Sequence, residues 1–163
     1  MHHLVAPTTR LHAAWTEAHG EWGPGSHEDG FGLLETDAVD SLSGFEAWLD
    51  RLAAESDQCT YRWITGGNHV LGGIALRHET HPAVELAGHI GFGIRPSARQ
   101  RGIGTWALGR MLTIARARGM ENVVLMCAAH NLGSTRTIER QGGVLATRTG
   151  SGSAAVLKYH VRL

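Results

Sequence analysis

The stretch "RPSARQRGIGTW", Arg95–Trp106, decides how the rest of this chain is read. Before it, "AVELAGHIGFGIRP" (83–96) has the look of a strand, and Pro96 stops it. After it, Ile103, Ala107, Met111 and Ile114 recur at helical spacing, with Arg116, Arg118 and Gly119 suited to a helix C-terminus. The stretch therefore joins a strand to a helix N-terminus, and it carries three arginines and two closely spaced glycines. Unpaired backbone N–H groups and the helix dipole favour an anion at such a junction. Glycine lets the backbone approach a phosphate closely, and arginine adds charge-assisted bonds. A basic turn facing water is the plainer reading of the same residues.

Working outward, "HHLVAP" (2–7) reads as a short strand, and "PTTRLHAAWTEAHGEW" (7–22) as a helix begun by Pro7 and a threonine cap. "SGFEAWLDRLAAES" (43–56) opens with a Ser43–Glu46 capping box and sets Phe45, Trp48, Leu49 and Leu52 along one stripe. "TYRWITGGNHVLGGIALRHE" (60–79) is two strands about a Gly-Gly-Asn turn. The glycines of "GHIGFG" (88–93) point to a bulge or to another backbone lying close by. Beyond the central helix, "NVVLMCA" (122–128) is a fully apolar strand, and "NLGSTRTIERQGG" (131–143) a short helix capped by Asn131. "VLATRT" and "AAVLKYHVRL" close the chain as strands. The order β-α-α-β-β-β-α-β-α-β-β implies an α/β (α+β) sheet with helices upon it.

At 163 residues the chain suits one domain, 1–163. Lys+Arg and Asp+Glu are 15 each, and this balance argues against general nucleic-acid binding, which scales with neutralising cations. No run approaches the roughly 20 apolar residues of a membrane span. Two cysteines and the lack of a signal-peptide pattern lead to the expectation of a cytoplasmic protein with free thiols. The 11 histidines are scattered, and "HETHP" (78–82) lacks the HExxH spacing, so no metal is expected.

Which phosphate ligand suits the glycine loop can be narrowed. A Walker A loop ends in Gly-Lys-Ser/Thr, and "GIGTW" does not. "GIGTWA" fits GxGxxA, but seven residues separate Ile94 from Gly102, and Glu121 begins the next strand instead of ending it. That is wrong for a dinucleotide fold. "RQRGIG" (99–104), by contrast, resembles the acetyl-CoA motif R/Q-x-x-G-x-G/A of the GNAT N-acetyltransferases. "CAAHNLGSTRTIERQGG" (127–143) resembles that family's second motif, in which an Asn opens a short helix ending at Gly. The likeness runs from about Tyr61 to the C-terminus, and the N-terminal part looks more loosely like a bacterial branch of acetyltransferases.

The resemblance implies a mixed, mostly antiparallel sheet of six to seven strands, splayed between the fourth and fifth and flanked by about four helices. It implies acetyl-CoA as acyl donor, a small amine as acceptor and a homodimer, while the charge balance and the lack of an apolar span lead to the expectation of no nucleic acid or membrane partner. Pantetheine would pair with the exposed edge at Phe92, Gly93 and Ile94, and pyrophosphate would lie on Arg99, Gln100, Arg101, Gly102, Ile103 and Gly104. Asn131 and Ser134 would face the pantetheine arm.

Two departures from the family pattern stand out. Where many members have a carboxylate, this chain has Gly88, which leaves His89 and Glu85 as candidate bases. Where many have a Tyr to protonate the thiolate, it has Ile138, with Ser134 as a polar neighbour. Cys127 invites an acyl-enzyme route, which the family does not normally use. Trp22, Glu28, Asp29 and Glu79, with His27 and His81 nearby, are the candidate acceptor side. A non-catalytic acyl-CoA-binding module is the competing reading.

Overall fold

The structure is a computed structural model, and it describes residues 1–23 and 28–163. Its strands and helices run in the order β1 (His2–Val5), α1 (His12–Trp22), α2 (Leu42–Ala54), β2 (Cys59–Gly66), β3 (His69–Arg77), α3 (Val84–Ala87), β4 (Ile90–Ile94), α4 (Ile103–Ala117), β5 (Asn122–Ala128), α5 (Leu132–Arg140), β6 (Val144–Thr149) and β7 (Val156–Arg162). Two sheets result, β1-β2-β3-β4 and β5-β7-β6, and every ladder in them is antiparallel. Among the described residues the strands thus divide after the fourth, and none of their ladders is parallel.

The β2–β3 hairpin closes through Gly67 and Asn68, with φ +59 at Gly67, a turn geometry glycine adopts without strain. Pleating then sorts its side chains to opposite faces. Trp63 joins an aromatic cluster beneath α1 and α2 with Trp15, Trp22, Phe31, Phe45 and Trp48, and Ile64 faces the aliphatic core under α4 with Ile74, Leu108 and Met111. Trp15 and Trp48 stack 4.7 Å apart at a tilted 51°, a favoured aromatic arrangement.

Two local readings of the sequence need correction. The segment 83–96 is not one strand. Val84–Ala87 forms a single helical turn, α3, and only Ile90–Ile94 pairs with β3. Gly88 ends that turn at φ +76, a left-handed conformation. The cap of α2 is Ser41, whose hydroxyl accepts from the Gly44 amide, so the helix starts before the expected Ser43 box.

The glycines of β3 and β4 do admit another backbone. Gly73 and Gly93 are register partners, and residues 29–31 cross the sheet on top of them. A Cβ on Gly93 would lie 2.7 Å from the Asp29 carbonyl oxygen, and one on Gly73 would lie 2.8 Å from the Phe31 ring. Only glycine lets the segment between α1 and α2 lie this low over the start of the splay.

Candidate functional site

β4 and β5 meet at one point and then part. Gly88 forms an isolated bridge to Leu125, and the His89 amide donates to the Val124 carbonyl at 2.7 Å. The Val124 amide in turn donates to Nδ1 of the His89 ring at 2.8 Å. An imidazole nitrogen thus takes the place of a strand carbonyl where regular pairing ends. From Gly91 to Ile94, β4 pairs with β3 on one side and, among the described residues, has no strand on the other. The gap opens into a cleft of about 350 Å³ with Phe92 on one wall, Leu125 and Cys127 on the other, and Asn131, Ser134 and Ile138 from α5.

At the far end of β4 the chain passes through the glycine loop into α4. Gln100 and Gly102 both have positive φ, +59 and +75, and α4 begins at Ile103 without a capping side chain. Left-handed residues alternating with extended or helical ones turn successive amides toward one concavity. A Cβ on Gly104 would meet Ile94, Thr137 and Phe92 at 3.6–3.8 Å, ordinary contact distances. The protein itself would tolerate that methyl group, so glycine at 104 is not required by packing and leaves the space beside Ile94 and Phe92 open.

A family model described as the acetyltransferase (GNAT) family matches residues 15–143. The chain belongs to that family. As a GNAT protein it is an N-acetyltransferase by class. It is similar to the structure of RimJ from Mycobacterium smegmatis in complex with CoA-disulfide, at 16% identity and TM-score 0.79, covering 99% of this chain and 81% of that one. RimL, a ribosomal alpha-N-protein acetyltransferase in complex with coenzyme A, is similar at 16% identity and TM-score 0.76, over 99% and 94% of the two chains. MccE, a microcin self immunity acetyltransferase in complex with acetyl-CoA and AMP, is similar at 13% identity and TM-score 0.72, over 99% and 92%. No curated protein matches the sequence.

In this GNAT fold the residues singled out in the sequence separate into two groups. Phe92, Gly93 and Ile94 lie along the β4 edge, and Asn131 and Ser134 line the cleft. Asn131 caps α5, with its side-chain oxygen accepting from the Ser134 amide at 3.1 Å. Arg99 folds back so that its Nε donates to the Ile94 carbonyl at 2.9 Å, while Gln100, Arg101 and Gly102 are exposed. The Ile103 side chain is buried in the core, so only its backbone faces the loop. Arg95 is different. It is 7% exposed, and it donates to Glu17 and Glu21 of α1 and to the Val70 carbonyl. This arginine fastens α1 to the loop and is not available to a ligand.

The acceptor-side expectations fare less well. Trp22 packs edge-on against Phe31 in the aromatic core, outside the cleft lining. The Glu28 side chain is 5% exposed and meets Nδ1 of His19 at 2.8 Å, outside the cleft lining. Glu79 and Glu85 are exposed on the β3–α3 turn and on α3, and neither lines the cleft. Asp29 does line it. His27 lies outside the described residues. His81 accepts the Ala83 amide at Nδ1, and buried His78 bonds the Asp57 carbonyl and Thr60, so both histidines of "HETHP" already have protein partners.

His89 also departs from the part expected of it. To act as a base it would have to take a proton at Nδ1, and that lone pair already accepts the Val124 amide. Burial lowers its pKa below the ordinary 6.5, with Arg77 and His160 adding to the effect and Glu79 opposing it. The ring is held neutral as a structural acceptor. The Gly88 departure has a steric cause, because a Cβ there would lie 2.7 Å from the Val124 carbonyl oxygen. A carboxylate at 88 would push the strands apart. Burial raises the Cys127 thiol above its ordinary value, and its neighbour is Thr135 at 3.7 Å, which is not a setting for a nucleophile. The sequence reading missed Arg77, a cleft-lining cation at the end of an otherwise apolar strand.

Proposed function

We propose that residues 1–163 form one catalytic domain that moves an acetyl group from acetyl-CoA to a primary amine of a small molecule, by direct attack on the thioester. The observation that carries this reading is the one-sided β4 edge, continuous from the glycine loop into the cleft. Amides of the pantetheine arm would pair with Phe92, Gly93 and Ile94 by strand addition. Pyrophosphate would lie on the backbone from Arg99 to Gly104, where the uncapped start of α4 adds its dipole. The complexes of MccE with acetyl-CoA and of RimL with coenzyme A support this choice of acyl donor.

In the reaction the amine nitrogen bonds to the thioester carbonyl carbon, the carbon–sulfur bond breaks, and sulfur leaves with the electron pair. The nitrogen loses one proton. His89 is occupied, Glu85 stands outside the cleft and Ile138 is apolar, so the proton passes to solvent water and the thiolate departs as an anion beside Ser134. Rate then comes chiefly from positioning a neutral amine against an already activated acyl group. The expected pH profile follows from this. kcat/KM should rise with pH until the amine itself is deprotonated, with no ionisation of the enzyme superimposed between about pH 6.5 and 9.

Isothermal titration with acetyl-CoA, followed by a thiol-release screen across small amines, tests the proposal. Absence of acetyl-CoA binding sinks it, and tight binding with no turnover favours a non-catalytic acyl-CoA-binding module. The likeness to RimL favours a second acceptor, the free N-terminus of a protein. Peptides with free N-termini belong in the same screen, and their preference over every small amine would displace the small-molecule reading.

A further inference from the structure

We propose that the cleft contains a carboxylate-binding subsite built on Arg77, so that the amine acetylated here carries a carboxylate near its nitrogen. This names the acceptor class of the acetyl-transfer site above and rests on that reading for the reaction, though not for the binding. Arg77 ends β3, and its amide donates to the His89 carbonyl where β4 begins. Its Nη1 donates to the Gly88 carbonyl at 3.1 Å, which holds the guanidinium head over the start of the splay. From there, Nη1 lies 4.0 Å from where a Cβ of Gly91 would stand, and the Gly30 amide nitrogen lies 4.0 Å from the same point. Two nitrogen groups from separate elements thus converge on a position that carries no side chain. Its floor is the Ala75–Gly91 register pair, the smallest residues available.

The charges around this point favour an anion. Among the described residues Arg77 is the sole cation lining the cleft, and it forms no ion pair with any of them. One of its five N–H groups is committed to Gly88, and a guanidinium fork binds carboxylate through two parallel bonds. Leu86, Ile90, Phe92 and Leu125 are apolar neighbours, which lower the local dielectric and strengthen the attraction. The phosphates of the acyl donor do not compete for Arg77. The glycine loop lies at the other end of β4, about 13 Å away at the usual strand rise.

The test uses the full chain saturated with CoA, and a panel of α-amino acids, β-alanine and γ-aminobutyrate, each beside its carboxamide. Ligand-detected NMR or calorimetry should show at least one carboxylate binding about tenfold or more tighter than its carboxamide, the size of a charge-assisted pair. Arg77→Met should erase that preference without weakening CoA binding, and Arg77→Lys should restore part of it. Equal binding of acids and amides by the unmodified protein overturns the subsite, as does a preference that survives Arg77→Met. The comparison in the unmodified protein, together with Arg77→Lys, decides the matter even if Arg77→Met folds poorly. Thiol release with the same panel separates the two claims. Selective binding with no acetylation would sink the acetyl-transfer reading alone, and acetylation indifferent to the carboxylate would sink the subsite alone.

Discussion

Strand β4 has a different kind of architecture at each end. Where it runs out at Ile94, the site is made of main chain: loop amides, a left-handed Gln100 and Gly102, and an uncapped helix start. Where it begins, the site is made of side chains drawn from separate elements: Arg77 from β3, His89 from the strand junction, and Asp29 from the crossing segment. A backbone cradle depends on a contiguous stretch, so it is written as a motif. A side-chain constellation depends on which elements pack together, and no local pattern announces it.

The largest expected effect is at the backbone end. Gly104→Trp should fill the space beside Ile94 and Phe92 on the β4 edge and weaken acetyl-CoA binding by more than about 100-fold, as read by titration. The helical signal should be kept. If binding survives, the cradle lies elsewhere and the contrast between the two ends collapses.

Arg95→Met should come next, through stability and not through lost ligand contacts. Losing the bonds to Glu17, Glu21 and Val70 should lower Tm by about 4–8 °C for a chain of this size. Burial raises the Glu21 carboxyl, but the Ser97 amide and hydroxyl together with Arg95 outweigh it, and it titrates below the ordinary 4.5. Arg95 lowers Glu17 in the same direction. Depressed carboxylates stabilise the fold above pH 4.5, and that contribution is lost as pH falls through their folded values. Thermal scans from about pH 6 to pH 3 should therefore show a steeper acid loss in the parent than in Arg95→Met.

At the side-chain end, His89→Ala should reduce kcat/KM about tenfold by leaving the Val124 amide without its acceptor, and His89→Asn should restore most of it. Because burial depresses the His89 pKa, the bond is intact at neutral pH and is lost as pH falls below 6.5 through the folded value. The Asn variant should lack that acid loss. A base at His89 would instead leave Asn as inactive as Ala, which distinguishes positioning from proton transfer. The smallest effect belongs to Arg101→Ala. This exposed side chain should weaken acetyl-CoA binding about threefold, and less as salt is raised.

The legibility of this molecule follows the same division. Periodicity located the hairpin at Gly67, the helix after Gly102 and the Asn131 cap, because each rests on residues adjacent in the chain. It merged Val84–Ala87 with β4, since four apolar-rich residues cannot declare a helical turn by spacing alone. Trp22 and Glu28 sat in a polar, glycine-rich context that reads as solvent-facing, yet packing against Phe31 and His19 takes both away from the cleft.

By itself the sequence determined the strand–loop–helix junction, the family, and the glycines through which another backbone passes. These follow from backbone conformation, which depends on neighbours a few residues away. Only the tertiary structure decided that Arg95 is a buried fastening, that the His89 lone pair is already taken, and that Arg77 and Gly91 meet in one cleft. Each depends on a partner in another element, 74 residues away for the Arg95–Glu21 pair and 35 for His89–Val124, and long-range pairing is set by packing, not by the local chain.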